Sequence, residues 1–224
     1  MRIRTVDLTR VFRVGSSEIT AVNKVNLEVN EPEFMAIVGP SGSGKSTLLN
    51  LIGLNDNPTY GKLFIDDVDA SLLSSSERRK TRLLRLGFVF QTFNLLPTLT
   101  ALENVELPMT LTHRSSKEQK EKATALLENV DLGNRLHHRP KQLSVGEMQR
   151  VAIARALANA PEVIIADEPT GELDSRTAKE IISLLLDINK ERETTVIIAT
   201  HDEKIVKAAG RIHKIVDGEL KVEQ

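Results

Sequence analysis

The chain has 224 residues, 30 Lys+Arg against 31 Asp+Glu for a net charge of -1, six Phe, one Tyr, no Trp and no Cys. That length predicts one compact domain, or a core with an insertion, large enough to stand without disulfides or structural metal. Absence of cysteine excludes a disulfide framework and a thiol nucleophile, and near-neutral charge excludes the global basic excess of a dedicated nucleic-acid binder.

No apolar run reaches the roughly 20 residues of a membrane span, and the opening MRIRTVDLTR lacks the apolar stretch of a signal peptide. The expectation is a soluble chain in a reducing, cytosolic compartment. Its first 30 residues alternate apolar and polar positions around the turn-prone Gly15-Ser16-Ser17, predicting two antiparallel strands that include Val11-Phe12 and Val25 to Val29. Phe34 to Val38 is a continuous apolar run ending at Gly39, the pattern of a strand buried on both faces of a parallel sheet. Leu48 to Ile52 reads as a helix, and Arg78, Arg79, Lys80, Arg82 and Arg85 read as the solvated face of another, a partner or lipid contact being the other reading.

From about Thr98 to Ala158 no buried-strand run occurs. Ala123, Leu126, Leu127 and Val130 mark one amphipathic helix there, and Val151 to Ala158 belongs to a second. Buried-strand runs return at Val163 to Ala166 and Thr195 to Ala199, with Ala178, Ile181, Ile182, Leu185 and Ile188 at helical spacing between them. Arg211 to Val216, the Asp217-Gly218 turn and Glu219 to Val222 predict a closing hairpin.

Three segments carry chemistry. Gly39-Pro-Ser-Gly-Ser-Gly-Lys-Ser-Thr47 matches G-x-x-x-x-G-K-[ST] between a strand and a helix. Gly39, Ser41, Gly42, Ser43, Gly44 and Thr47 supply a loop whose backbone amides cradle phosphates at the positive end of a helix. Lys45 reaches the β- and γ-phosphates and the Ser46 hydroxyl ligates Mg²⁺. Asp167 and Glu168 end an interior strand, where adjacent parallel strands would set them beside that loop. There Asp167 serves Mg²⁺ through water and Glu168 is the natural general base for an attacking water. The third segment, Leu143-Ser144-Val145-Gly146-Glu147, precedes Met148 to Leu157, with Ser144 and Glu147 spaced as a capping box.

In order and spacing these segments resemble the ATP-binding cassettes of ABC transporters, whose signature is LSGGQ. The stretches FVFQTFNLLPTLTALENVELP and VAIARALANAPEVIIADEPTGELDS are similar to the lipoprotein-release and macrolide-export group. The resemblance implies an α/β P-loop NTPase (RecA-like) core with a mostly parallel sheet, and an N-terminal antiparallel β subdomain. Residues 1–90 and 159–224 would form the core, and residues 91–158 an inserted helical subdomain carrying the signature. It implies Mg-dependent ATP hydrolysis by a head-to-tail homodimer, in which Ser144 to Glu147, Gly146 closest, face the γ-phosphate held by the other copy. Gln91 would sense Mg²⁺ or water, His201 would contact the γ-phosphate, and Asp174 would cross the interface. Phe12 would stack on adenine, or else simply pack in the core. Two residues depart from the signature: Val145 stands where glycine is usual and Glu147 where glutamine is usual. The implied partner is an integral membrane permease on another chain, with no nucleic acid, which sets the protein on the inner face of the membrane. The other readings are a soluble, non-transport ABC-type ATPase and a small-molecule P-loop kinase. The first usually carries two cassettes or a long coiled-coil insertion, whereas only 51 residues lie between Gln91 and Leu143. The second would not predict the signature helix, the acid pair and His201 in this order.

Overall fold

A computed structural model describes residues 1–30 and 32–221. The chain begins with β1 (Ile3–Val14), β2 (Ser17–Val25), β3 (Glu28–Val29), β4 (Phe34–Val38), α1 (Lys45–Ile52), β5 (Tyr60–Ile65), β6 (Val68–Asp69), α2 (Ser75–Arg85) and β7 (Leu86–Val89). It continues through α3 (Ala101–Glu106), α4 (Ser116–Glu128), α5 (Val145–Ala156), β8 (Val163–Asp167), α6 (Ser175–Glu191), β9 (Thr195–Thr200), α7 (Glu203–Ala208), β10 (Arg211–Val216) and β11 (Glu219–Lys221). The expected closing hairpin is present to Lys221, and Val222 lies outside the described residues.

One sheet is antiparallel, in the order β2-β1-β5-β6 with β3 also on β1. The other has the order β11-β10-β4-β9-β8-β7 and is parallel except for the β10–β11 pair. The apolar runs of its inner strands are unbroken because both faces are covered. Ala36, Ile164, Val196 and Ile198 face a cluster shared with α3 to α6, while Met35, Ile37, Ile165 and Ile197 face one shared with α1 and the antiparallel sheet. Each such buried Val, Ile or Met side chain contributes about 1.5–3 kcal/mol relative to exposure.

The structure adds to the sequence expectation at two places and corrects it at a third. The strand β8 is parallel to β4 with β9 between them. The strand β10 joins the main sheet, parallel to β4, besides forming the expected hairpin. The basic face of α2 is only partly solvated: Arg78 and Arg82 donate to the carbonyls of Asp56 and Leu54, Arg85 pairs with Glu162, and Arg79 and Lys80 remain exposed. The short α3 escaped the periodicity argument, although Thr100 and Glu103 form a capping box in its first turn.

Arg85 Nη2 meets Glu162 Oε2 at 2.9 Å and the Met1 amine lies 2.7 Å from the same oxygen, joining the end of α2 to the start of β8 and β1. Hydrogen bonding from Arg85 lowers the Glu162 carboxyl to about 2, against 4.5 for the free group. A depressed acid stabilises the fold above its unfolded value, and that contribution is lost as the folded group protonates. Glu162→Gln should therefore lower the thermal midpoint at pH 7, with the difference closing between about pH 4.5 and 2. Both partners are partly exposed, so the effect is small. A difference constant across thermal melts over that range would remove the pair from the account.

Candidate active site

Four parallel strands end on one edge of the main sheet. Register pairs Val38 with Thr200, Asp167 with Ala199 and Val89 with Ala166, so the loops that follow β4, β9, β8 and β7 emerge side by side. Those loops carry Gly39 to Thr47, His201, Glu168 and Gln91, and the carboxyl edge of an open α/β sheet is where ligands bind. Ser41, Gly42, Gly44, Lys45, Ser46, Thr47, Gln91, Glu168 and His201 line one cavity of about 360 Å³, with Ala21 from β2 closing it.

The loop needs glycine at specific points. Gly44 caps α1 at φ +103°, and a Cβ there would stand 2.1 Å from the Ala21 carbonyl oxygen. A side chain at this position would push the antiparallel sheet off the loop. Lys45, 7% exposed, donates from Nζ to the carbonyls of Gly39 and Pro40 at 2.8 and 3.0 Å, and lies 3.7 Å from Glu168 Oε1. Its charge is thus held in the cavity lining, where a phosphate chain entering the loop would meet it.

Burial raises the Asp167 carboxyl, a hydrogen bond from Ser46 opposes that shift, and the charge of Glu168 adds to it. Asp167 Oδ1 is buried with no partner, as is Ser43 Oγ in the adjoining loop. An orphaned buried carboxylate oxygen beside a serine hydroxyl fits Mg²⁺, which takes hard oxygen ligands, few from protein and the rest from phosphate and water. Ser46 and Asp167 would hold the ion, which would neutralise phosphate charge when bound. Gln91 donates from Nε2 to Glu172 Oε1 at 3.1 Å, a partner that no local pattern of residues points to.

Glu168 sits at φ +46°, a left-handed conformation that costs a non-glycine residue about 1–3 kcal/mol and clusters at functional sites. Its Oε1 is 3.0 Å from His201 Nδ1, and His201 itself is largely exposed. The carboxylate is therefore oriented between Lys45 and His201, open to a water in the cavity.

The signature lies outside this cavity's lining. Ser144 caps α5 as the sequence predicts: Glu147 N–H donates to Ser144 Oγ at 3.2 Å, and Ser144 N–H donates to Glu147 Oε2 at 2.7 Å. The first-turn amides of Val145 and Gly146 lack an intrahelical partner at this capped helix start, the kind of place where anions bind, and no signature residue lines the chain's own phosphate cavity. Glu147 does not present a bare acid there. Its other oxygen accepts from Arg135 Nε at 2.9 Å, and the Ser144 amide, ahead of Arg135, holds its carboxyl below the usual range. Gly146 has a local reason too, because a Cβ would stand 2.5 Å from Thr177 Cγ2 in α6. Thr177 is bonded in turn to Asp174, the cap of α6.

Phe12 is 37% exposed, which overturns the core-packing alternative, and Arg10 covers one face of its ring at 4.6 Å. Phe12 does not line the phosphate cavity, but it lies on the β1–β2 hairpin that supplies Ala21. Phe12→Ala should weaken ATP affinity about 5- to 20-fold with maximal turnover nearly unchanged, the size of one lost stacking contact. Equilibrium titration with a fluorescent ATP analogue measures this, and an unaltered affinity would leave Phe12 without a role in the site.

A glycine loop after β4, its lysine, an acid pair at the end of β8 and a parallel sheet of this order define a P-loop nucleoside triphosphatase with a RecA-like core. Comparison with known proteins agrees. The family described as ABC transporter matches residues 22–171. ABC transporter ATP-binding protein MJ0796 of Methanocaldococcus jannaschii is 47% identical over 226 residues, spanning 99% of this chain and 96% of that one. Macrolide export ATP-binding/permease protein MacB of Rhodopirellula baltica is 45% identical over 218 residues, 96% of this chain but 32% of that longer protein. A solved dimeric structure of the MJ0796 cassette, in a post-hydrolysis state bound to ADP and Pi, superposes with a TM-score of 0.92 at 45% identity, covering 99% of this chain and 97% of that one. The chain belongs to the ABC transporter family and is one of its ATPase cassettes.

Proposed function

We propose that two copies of this chain close head to tail on two ATP molecules, hydrolyse them with Mg²⁺, and use the cycle to drive a separate membrane permease of export or lipoprotein-release type. The observation that carries this reading is the separation of the two halves of the site. The cavity formed by the phosphate loop, Glu168 and His201 has a lining without Ser144 or Gly146, which stand at the capped start of α5. A second copy, turned end to end, would bring its Ser144 to Glu147 against the open γ-phosphate side. The dimeric MJ0796 structures, one of them bound to ADP and Pi, support a dimer for this chain.

Within it the roles follow from chemistry. Loop amides and Lys45 bind the phosphates, Ser46 and Asp167 hold the metal with Gln91 reporting on it, and Glu168 takes a proton from the attacking water while His201 holds it in place. Phe12 would support the adenine. We assign residues 91–158, with α3 to α5, to the helical subdomain that moves against the core.

Among the described residues no helix is long and apolar enough to cross a membrane, so the permease in this reading is another chain. A groove of about 820 Å³ supports a docking place for it, lined by the apolar Leu83, Leu84, Phe88 and Leu111 and by Arg79, Lys80, Arg82 and His113, with no acid. The fused cassette and permease named for MacB supports the export type. Co-purification from detergent extracts tests the proposal: the chain should carry a membrane subunit with it, and Arg79→Glu/Lys80→Glu should lose that subunit. A chain that stays wholly in the soluble fraction with full turnover would favour the non-transport ATPase instead.

A further inference from the structure

Gln149 stands in α5, five residues past Ser144, with no exposure and with Val151, Ala152 and Ile153 buried around it. A primary amide in an apolar layer is unfavourable unless both ends are bonded, and leucine or methionine would fill a similar volume without that cost. Only one end is bonded here. Nε2 donates to the Pro169 carbonyl at 2.7 Å, while Oε1 is buried with no partner. The contact with Pro169 is therefore what the polar character of this residue contributes.

Pro169 directly follows Glu168, whose left-handed φ of +46° persists only if its surroundings over-determine it. Three hydrogen bonds do so. Glu168 N–H donates to Ala199 O at 2.9 Å, Gly171 N–H donates to Glu168 O at 3.0 Å, and Gln149 holds the next carbonyl. The first comes from β9 and the second from the turn itself. The third is the side-chain bond among them, and it comes from the helix whose amino terminus is the signature. Near its other end that helix grips the loop after Gln91, where Arg155 Nη2 donates to Phe93 O at 2.7 Å.

We propose that Gln149 is a positioning residue, tying the signature helix to the Glu168 carboxylate of its own chain. Movement of α5 when its amino terminus meets nucleotide then changes where the general base points. The proposal rests on the reading of Glu168 as base and adds a link between the two ATP sites that runs through one protomer.

The test uses the full chain with Gln149→Leu and Gln149→Met, which fill a similar volume and remove both polar ends. Each should lower kcat for ATP at least about tenfold and leave KM within about threefold. The thermal midpoint of Gln149→Leu should be no lower than that of the native chain, because an unsatisfied buried acceptor has gone. In a Glu168→Gln background, single-turnover hydrolysis should show no further loss when Gln149→Leu is added, since the residue acts through Glu168. An unchanged kcat in the folded single variants, or a loss that adds in full to that of Glu168→Gln, overturns the proposal. If Glu168→Gln alone keeps near-native turnover, the base reading fails and the proposal falls with it, a result distinguishable from the other two.

Discussion

Glu168→Gln is expected to lower ATP turnover by about two orders of magnitude or more while leaving nucleotide binding intact. The amide keeps the volume and planar shape of the carboxylate but cannot accept the proton of the attacking water. Neighbours that orient the group remain, since His201 Nδ1 at 3.0 Å and Lys45 Nζ at 3.7 Å can both still face the remaining oxygen. Loss of the base without loss of the cavity should show as a collapse of kcat with KM little altered or lower. A variant with turnover within about fivefold of the native chain would place the base elsewhere in the site.

The second large effect is expected at Lys45. Lys45→Met keeps the aliphatic stem in its buried slot and removes the ammonium, so both the bonds to the Gly39 and Pro40 carbonyls and the charge opposite the phosphates go together. A desolvated charge-assisted contact of this kind is worth about 2.7–4 kcal/mol, or two to three orders of magnitude in turnover. Unlike Glu168→Gln, this change should also weaken ATP affinity, because the ammonium meets phosphate in the ground state. Calorimetric titration separates the two cases, and ATP binding of native strength in Lys45→Met would contradict the assigned role.

Much of this site was legible in the sequence because its parts are local. Gly39 to Thr47 and Asp167-Glu168 each lie within a single strand-to-loop junction, where residue type and strand context suffice to place them. The Ser144–Glu147 capping box spans one helical turn and was readable for the same reason. What could not be read depends on partners far along the chain. Arg135 neutralises Glu147, Glu172 holds the Gln91 amide, and Gln149 reaches Pro169, each through contacts that no periodicity encodes. Strand order is of the same kind: the apolar runs do not say that β9 lies between β4 and β8, across which Glu168 lies 3.7 Å from Lys45. Aromatic scarcity made Phe12 conspicuous, but only its exposure distinguished a surface ring from a core one.

Sedimentation velocity of the Glu168→Gln chain, with and without Mg-ATP, tests the central claim most directly. A site completed by the second copy's Ser144 to Glu147 predicts a monomer without nucleotide and a stable dimer with Mg-ATP, since the variant binds ATP but cannot discharge it. A species that remains monomeric at high protein concentration under both conditions, while binding ATP, would contradict the head-to-tail sandwich.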